Sequence, residues 1–535
     1  MTTAPDRSDS NVVASPSRSR RIADAMKANR LRASVVAFLV FLFVGAMAGL
    51  ESDAWVSTIF QGLSVGAIVF LVASGFQLIF GLMDVLNLAH GELFMIGAFI
   101  GWTVYTRFDT FLDVLIPLLV IASALALWPL WRRIGNRLGA NDGAPRVIAW
   151  ALVAVGAVTV FPSITNFPLT IWDTENFMLT PANMSVQMDL GTLAPLPADS
   201  YGWPMPIAFS VLFLGVGAVA AGIAALRPAA GPVRSISFRN ALAMGGVIAA
   251  AALLEVVKPS MNEWVFGIST TWRFFMAVIV ATLAGATIGA VVEIFLIRPL
   301  YDRPIYTLIV TLGVGFVLIE LARQIWGRAE STMTRPAAFN GTGPGCPAEG
   351  FAGFFSGCST LTLFGSRLRV YNEGFIVLVG LAVLIAVNLL LKRTRIGMTI
   401  RAGVQDREMT EALGINVRRV FTQVFALGAG LAALGGVLAA PSIGLSPGMG
   451  ALFLLTAIVA LAIGGLKSFP GVAVGALLIG LLQQIIIRYG QAGIDLPFLE
   501  GPFRPSPTLV PAASIILMVV ILLVMPSGLM GRKVG

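Results

Sequence analysis

The sequence predicts an all-α fold: a polytopic transmembrane helix bundle of roughly 12–14 spans, with a short cytoplasmic helix attached. Three observations carry this. The 535-residue chain is 57% hydrophobic and only 12% charged, with a mean hydropathy of +0.87, far from the quarter-charged composition of soluble domains. Apolar runs of about 20 residues, enough to cross ~30 Å of hydrocarbon, recur from end to end. Basic residues collect in alternate loops between them, as positive-inside topology requires.

Residues 1–32 are polar, rich in Ser and Arg, and read as a disordered cytoplasmic tail. The apolar run over 33–50 reads as an uncleaved anchor, because the polar stretch before it is long for a signal peptide; cleavage there is the alternative. Spans then fall at Ser57–Phe80, Gly91–Tyr105, Leu112–Trp131, Val147–Phe161, Met205–Leu226, Asn240–Val257 and Trp272–Leu296. The second half adds Ile305–Trp326, Gly374–Leu391, Val420–Ala440, Ala451–Leu466, Gly471–Ile487 and Pro511–Met525.

Loop charge tests the parity of this count. Arg132, Arg133, Arg137 and Arg146, then Arg227, Arg234 and Arg239, then Arg298 and Arg303, then the run from Lys392 to Arg419 alternate with loops carrying Asp109, Asp113, Asp173, Glu175, Glu330, Glu349 and Glu373. The basic loops, and with them both termini, are expected in the cytoplasm. The net charge of +9 lies in these loops and not in a patch interleaved with aromatics, so nucleic acid is no partner.

Two cysteines and one histidine leave too few ligands for a thiolate metal cluster and speak against zinc or haem. Cys346 and Cys358 share one outer loop, where an oxidising compartment could join them; bonded and free pairs both remain open. No nucleophile–base pair or metal-ligand spacing occurs, so no catalytic site, metal site or cofactor is expected in this chain. Small residues at Ala281, Gly285 and Gly289, and at Gly428, Gly435 and Gly436, imply close helix packing.

Two polar stretches stand out. "FGLMDVLNLAHGELFMIG", Phe80–Gly97, gathers Asp84, Asn87, His90, Gly91 and Glu92 within apolar sequence. One reading is a helix break lining a pathway, since irregular backbone at membrane depth is tolerated where protein or a wet cavity satisfies it. The other is a cytoplasmic turn in which Asn87 caps the next helix and Glu92 lies in its first turn. Intramembrane acids mark proton or ion pathways by default, but Glu255, Glu293 and Glu320 fall mostly at span ends, and Glu293 lies close to Arg298.

The second stretch runs from Leu391 to Phe421. Ile400, Val404, Met409, Leu413 and Ile415 approach helical spacing, with Arg401, Gln405, Asp406, Arg407, Glu408 and Glu411 between them. Gly414 can end that helix. A surface helix anchored at the headgroups has the same pattern.

"QDREMTEALGINVRRV" resembles the cytoplasmic signature of ABC-importer permeases, with Glu408 and Gly414 at the acid and glycine of that pattern and Met409 and Thr410 in place of its paired alanines. Among these the branched-chain amino acid (LIV, H-type) permease family fits best. "GLSVGAIVFLVASGFQLIFGLMDVLNLAHGELFMIGAFIG", with Asn87, His90, Gly91 and Glu92, resembles its first block; "IFLIRPLYDRPIYTLIVTLGVGFVLIELARQIWG", with Arg298, Pro299 and Gly313, its second. "RIGMTIRAGVQDREMTEALGINVRRVF", "TAIVALAIGGLKSFPGVAVGALLIG" and "LVMPSGLMGR" follow in the family's order.

The resemblance implies a permease subunit in the bacterial inner membrane that moves branched-chain or other hydrophobic amino acids. Its partners would be ABC ATPase subunits, a sibling permease in a heterodimer and an extracytoplasmic substrate-binding protein, besides membrane lipid. It implies an ATPase-coupling role for Gly397, Arg401, Asp406, Glu408, Leu413, Gly414 and Ile415, and a substrate-pathway role for Asn87, His90, Gly91 and Glu92. It also divides the chain into a permease core over 55–106 and 272–535, with hairpins inserted over 107–271. Outer loops are expected at 162–204 and 327–373, and a cytoplasmic coupling segment at 392–419. The chain has no G-x-x-x-x-G-K-[ST], so ATP is expected on partner subunits. Urea or short amides are the alternative cargo. A passive channel or secondary carrier is the alternative class, though no filter repeat or charge ring is present.

Overall fold

The computed structural model describes residues 34, 37–46, 51–139, 145–169, 184, 187, 188, 190–196, 201–226, 238–301, 303–405, 407–466, 468–494 and 501–531. The expected tail over 1–32 and about half of the loop over 162–204 lie outside them. Of the expected anchor, the apolar helix α1, Ala37–Ala46, is described. Among the described residues ten helices are long and apolar enough to cross a membrane, and three shorter apolar helices join them. The chain is a multi-pass helical bundle.

The elements follow one another as α2 (Ser52–Met83), α3 (His90–Thr106), α4 (Phe108–Ala126), α5 (Trp128–Gly139), α6 (Pro145–Thr165), α7 (Met205–Leu226), α8 (Phe238–Gly267) and α9 (Thr270–Val292). A π-helical turn, Glu293–Ile297, continues α9 and is followed by α10 (Pro304–Trp326). Then come three short strands, β1 (Ala348–Glu349), β2 (Thr360–Leu363) and β3 (Ser366–Arg369), and α11 (Val377–Arg393). The last helices are α12 (Arg395–Gln405), α13 (Arg407–Ala412), α14 (Val417–Ile443), α15 (Met449–Gly464), α16 (Phe469–Ala492) and α17 (Leu509–Val524).

One expected span is divided. Where Leu112–Trp131 reads as one apolar run, α4 ends at Ala126, the chain turns at Leu127, and α5 begins with Pro129 in its first turn. Trp131 folds back so that its indole donates to the Ala124 carbonyl at 2.7 Å. Other helices outrun the apolar runs that predict them, because helical hydrogen bonding continues past the first polar residue. In α8 the helix passes Lys258, whose charge is paired with Asp113 in the interior.

Packing in the core rests on glycine. Gly75 of α2 and Gly428 of α14 face each other so closely that a Cβ on either would strike the other's carbonyl oxygen. A Cβ at Gly436 would lie 2.9 Å from the Phe94 carbonyl carbon and 3.0 Å from Ala98 N. Gly285 and Gly289 of α9 meet Ala433 and Ala429 of α14 in the same way. Lipid tails supply no hydrophobic drive for helix association, so van der Waals contact between bare backbones does that work.

The contacts also repeat along the chain: α9 packs on α14 as α16 packs on α2, α9 on α3 as α16 on α15, and α10 on α3 as α17 on α15. Twice a long helix is interrupted and resumes as a short one, α3 of 17 residues and α15 of 16. The first turns of those short helices abut at Gly91 and Gly450.

Helices α4 to α8 pack mainly among themselves and add a second apolar core around Ile116, Phe167, Phe209 and Leu212. Their junction with α3 is held by Arg107, which pairs with Asp109 at 2.5 Å and donates to the Ala194 carbonyl. Between α10 and α11 the fold has a small sheet in the order β1-β2-β3, with β1 parallel and β3 antiparallel to β2. Cys346 and Cys358 are joined beside it, with Cα atoms 5.6 Å apart. Ser331 bridges to Leu445, which ties this loop to the start of α15.

Replacing Gly436 with Leu is expected to force α3 and α14 apart at a cost of about 1–3 kcal/mol or more, whereas Gly245→Leu, where no atom lies within 4 Å of the new Cβ, is expected to be neutral. Thermal unfolding of the purified variants in nanodiscs distinguishes them.

Candidate functional site

The stretch after α2 enters the bundle. Asp84 ends α2 in the left-handed region at φ 50°, exposed, with its N–H on the Phe80 carbonyl. Three residues later Asn87 is fully buried, and so is His90 at the start of α3. The imidazole lies against Val72 and Phe76 of α2, beside the Gly75–Gly428 crossing. Gly428 is eleven residues into α14, about 16 Å along the helix at 1.5 Å per residue. The break is therefore deep in the bundle and not a turn at its surface.

Asn87 does not cap α3 with its side chain. Its Oδ1 accepts from Ala89 N at 3.1 Å, its carbonyl accepts from His90 N, and the N-cap position belongs to Ala89. His90 Nε2 lies 3.1 Å from the Val72 carbonyl. A carbonyl only accepts, so Nε2 is the donor in this contact. Asn87 Nδ2, His90 Nδ1 and Glu92 Oε2 are buried without a hydrogen-bond partner among the described residues.

These groups do not converge on one point. His90 faces α2 and α14, while Glu92 faces the other way, toward Gly450 at the start of α15 and Gly315 of α10. Gly91 lies between them, against the backbone of Gly450. α10 also contributes Thr311, whose hydroxyl oxygen accepts from Leu88 N at 3.2 Å. The break is thus held by α2 on one side and α10 and α15 on the other.

The segment expected as one helix is two, α12 and α13, and the expected apolar face divides between them. Ile400 is buried at 3% exposure, Ile415 is half-buried, and Met409 and Leu413 are exposed at 63% and 73%. Side chains 404–408 lie outside the described residues, Glu408 included, and Asp406 lies outside them altogether. Arg401 is exposed. Gly397 forms the corner between α11 and α12, where a Cβ would come within 2.7 Å of the Leu391 carbonyl carbon. Thr394 stabilises that corner, its hydroxyl accepting from Gly397 N.

Gly414 stops α13. Its φ is +80°, its N–H bonds to the Glu411 carbonyl at 3.0 Å, and Ile415 N reaches back to the Thr410 carbonyl at 3.3 Å. This pair of bonds is a Schellman motif, which favours glycine at the left-handed position. Asn416 then caps α14 by accepting from Arg419 N. The result is a sharp reversal that leaves Met409 and Leu413 exposed and leads straight into the helix that crosses at Gly75.

One cluster was legible in the sequence only as the nearness of Glu293 to Arg298. Glu293, fully buried, accepts from Arg298, Tyr301 and Thr422. Residues five apart are not neighbours on an α-helix; the π turn at Glu293–Ile297 brings the carboxylate and guanidinium together. Of the other acids considered, Glu320 is exposed and pairs with Arg323.

Helices interrupted deep inside an apolar bundle, together with a sharply reversed polar segment, describe a multi-pass membrane protein. Residues 58–180 and 231–525 match the family described as branched-chain amino acid transport system, permease component. The match spans more than half of the chain, and the chain belongs to that family, whose members are membrane permease components and not enzymes. It is similar to the high-affinity branched-chain amino acid transport system permease protein LivH of Escherichia coli (strain K12), 27% identical over 269 residues, covering 50% of this chain and 77% of the relative. The corresponding protein BraD of Pseudomonas aeruginosa is 32% identical over 163 residues, covering 30% and 48%. The fructose import permease protein FruF of Bifidobacterium longum is 26% identical over 265 residues, covering 46% and 63%. No solved structure matches the chain.

Proposed function

We propose that the chain is the transmembrane permease subunit of an ATP-binding-cassette importer for branched-chain or other hydrophobic amino acids, in a bacterial inner membrane with the basic loops and both termini cytoplasmic. An extracytoplasmic binding protein delivers the substrate. ATPase subunits, which carry the ATP, dock on the reversal at Gly397–Val417, and a sibling permease completes the membrane half. The observation that carries this reading is the Schellman turn at Gly414, which holds exposed Met409 and Leu413 on a short helix directly before α14. An apolar edge of this kind needs a partner surface, and the helix behind it crosses the interrupted region. The permease family supports ATPase and binding-protein partners as a class, and the LivH and BraD relatives support branched-chain amino acids as cargo.

In this reading the break over Asp84–Glu92 lines the pathway. Its polar atoms without partners would be matched by a polar substrate or water during passage. Replacing Asn87 and His90 together with Ala is expected to reduce leucine uptake by the reconstituted complex at least about tenfold, equivalent to ~1.4 kcal/mol, with accumulation of the protein retained. Normal uptake would reduce the break to a buried turn.

Replacing Gly414 with Val adds about 1–2 kcal/mol of left-handed strain, which lowers the population of the docking turn roughly five- to thirty-fold. Nothing lies within 4 Å of a Cβ there, so the effect is conformational and not steric. Substrate-stimulated ATP hydrolysis is expected to fall accordingly, and Gly414→Asn, which tolerates this conformation, to retain most of it. Unchanged stimulation in Gly414→Val would remove the coupling role. Leucine-dependent uptake that persists without ATPase subunits would favour a channel.

A further inference from the structure

The buried carboxylate of Glu293 stands where three elements meet: the end of α9, the approach to α10, and the first turns of α14. Its Oε1 accepts from Arg298 Nε at 3.1 Å and from the Tyr301 hydroxyl at 2.6 Å. Its Oε2 accepts from Arg298 Nη2 at 2.8 Å and from the Thr422 hydroxyl at 2.8 Å. Arg298 Nη2 also reaches Thr422 Oγ1 at 2.5 Å. The Tyr301 ring meets Phe421 edge-on with centroids 5.8 Å apart. Both carboxylate oxygens are saturated, and one of the donors comes from a helix more than a hundred residues away in sequence.

Each end of this cluster leads to a part already described. Thr422 lies one turn and a half into α14, just beyond Gly414 and the Asn416 cap. Tyr301 and Arg298 precede α10, whose Thr311 accepts from Leu88 N in the break and whose Gly315 lies against Glu92 and Ala89. The contacts therefore form a continuous route from the reversal through Thr422 to Glu293, and along α10 to the backbone that interrupts α2 and α3. The link in between is a π turn, a rare geometry that concentrates at functional sites and within which a helix can change register.

We propose that Glu293, with Arg298, Tyr301 and Thr422, is the positioning device that transmits movement of the Gly397–Val417 reversal to the interrupted α2–α3 region. This rests on the importer reading above. Thr422 is the discriminating residue, because it supplies the cross-helix donor while Glu293, Arg298 and Tyr301 satisfy one another without it. Along α14 its hydroxyl hydrogen has a local alternative, the Arg418 carbonyl at 3.0 Å.

The experiment uses the complete complex, with ATPase subunits and binding protein, in proteoliposomes supplied with leucine. ATP hydrolysis, leucine uptake and the unfolding temperature are measured for wild type, Thr422→Val, Thr422→Ser and Glu293→Gln. Thr422→Val is expected to keep ATP hydrolysis and the unfolding temperature near wild type while leucine moved per ATP falls at least about fivefold, the lower end of coupling between linked sites. Thr422→Ser, which restores the hydroxyl, is expected to restore the ratio, and Glu293→Gln to lower it at least as far as Thr422→Val. A wild-type ratio in Thr422→Val overturns the proposal, as does a loss of hydrolysis and uptake in proportion with a lowered unfolding temperature, which marks a merely structural cluster. Wild type that shows no ATP-driven uptake would overturn the importer reading itself, a separate outcome.

Discussion

Two helices that touch backbone to backbone set the terms for the rest of the bundle. At Gly75 and Gly428 neither α2 nor α14 has room for a single methyl, and this approach decides what can surround it. The His90 ring fits beside the crossing because Gly75 has no side chain to occupy the space. α3 can lie along α14 because Gly97, Gly101 and Gly436 leave its backbone equally close. In lipid, where burying apolar surface gains nothing over exposing it to acyl chains, contacts of this density are the main source of association. Glycine costs more conformational entropy than other residues, so its concentration at the crossing marks where close approach outweighs helix propensity.

The same crossing organises the interruption of the helices. α2 and α14 are long and continuous, and each hands over to a short helix that starts inside the bundle, so the first turns of α3 and α15 meet at Gly91 and Gly450. Helix N-termini have backbone N–H groups without intrahelical partners. Glu92 lies against this junction while His90 points to the opposite side, so residues adjacent in sequence serve two different neighbourhoods. The repeated packing of α2, α3, α9 and α10 with α14, α15, α16 and α17 places an interrupted helix on each side of the crossing. Bare backbone and buried polar atoms are thereby gathered near the centre of the bundle.

At the basic-loop side the chain turns sharply where the sequence is most polar. The corner at Gly397, the Schellman turn at Gly414 and the cap at Asn416 fix the described turns between α11 and α14 by hydrogen bonds from backbone N–H groups. The last of them leads into α14, which is joined to α9 and to the approach to α10 through hydrogen bonds to one saturated carboxylate. Buried ion pairs of this kind add little net stability, since desolvation offsets attraction, but they are directional and costly to leave half-made. Directionality is what a mechanical connection needs.

The sequence by itself determined the class of fold, the family, and the presence of a glycine-terminated polar helix before Val420. These are carried by signals local in the chain: apolar run length, loop charge and a motif read in order. Only the tertiary structure decided where those pieces stand. It showed that Asn87 and His90 lie deep and not at a surface turn, because depth depends on which part of α2 and α14 they meet. It divided the apolar face of Ile400, Met409 and Leu413, because a helix pattern does not say which face has a partner. It joined Glu293 to Arg298 across a spacing that an α-helix would separate, and both to Thr422, because neither a π turn nor a cross-helix hydrogen bond leaves a periodic trace in the sequence.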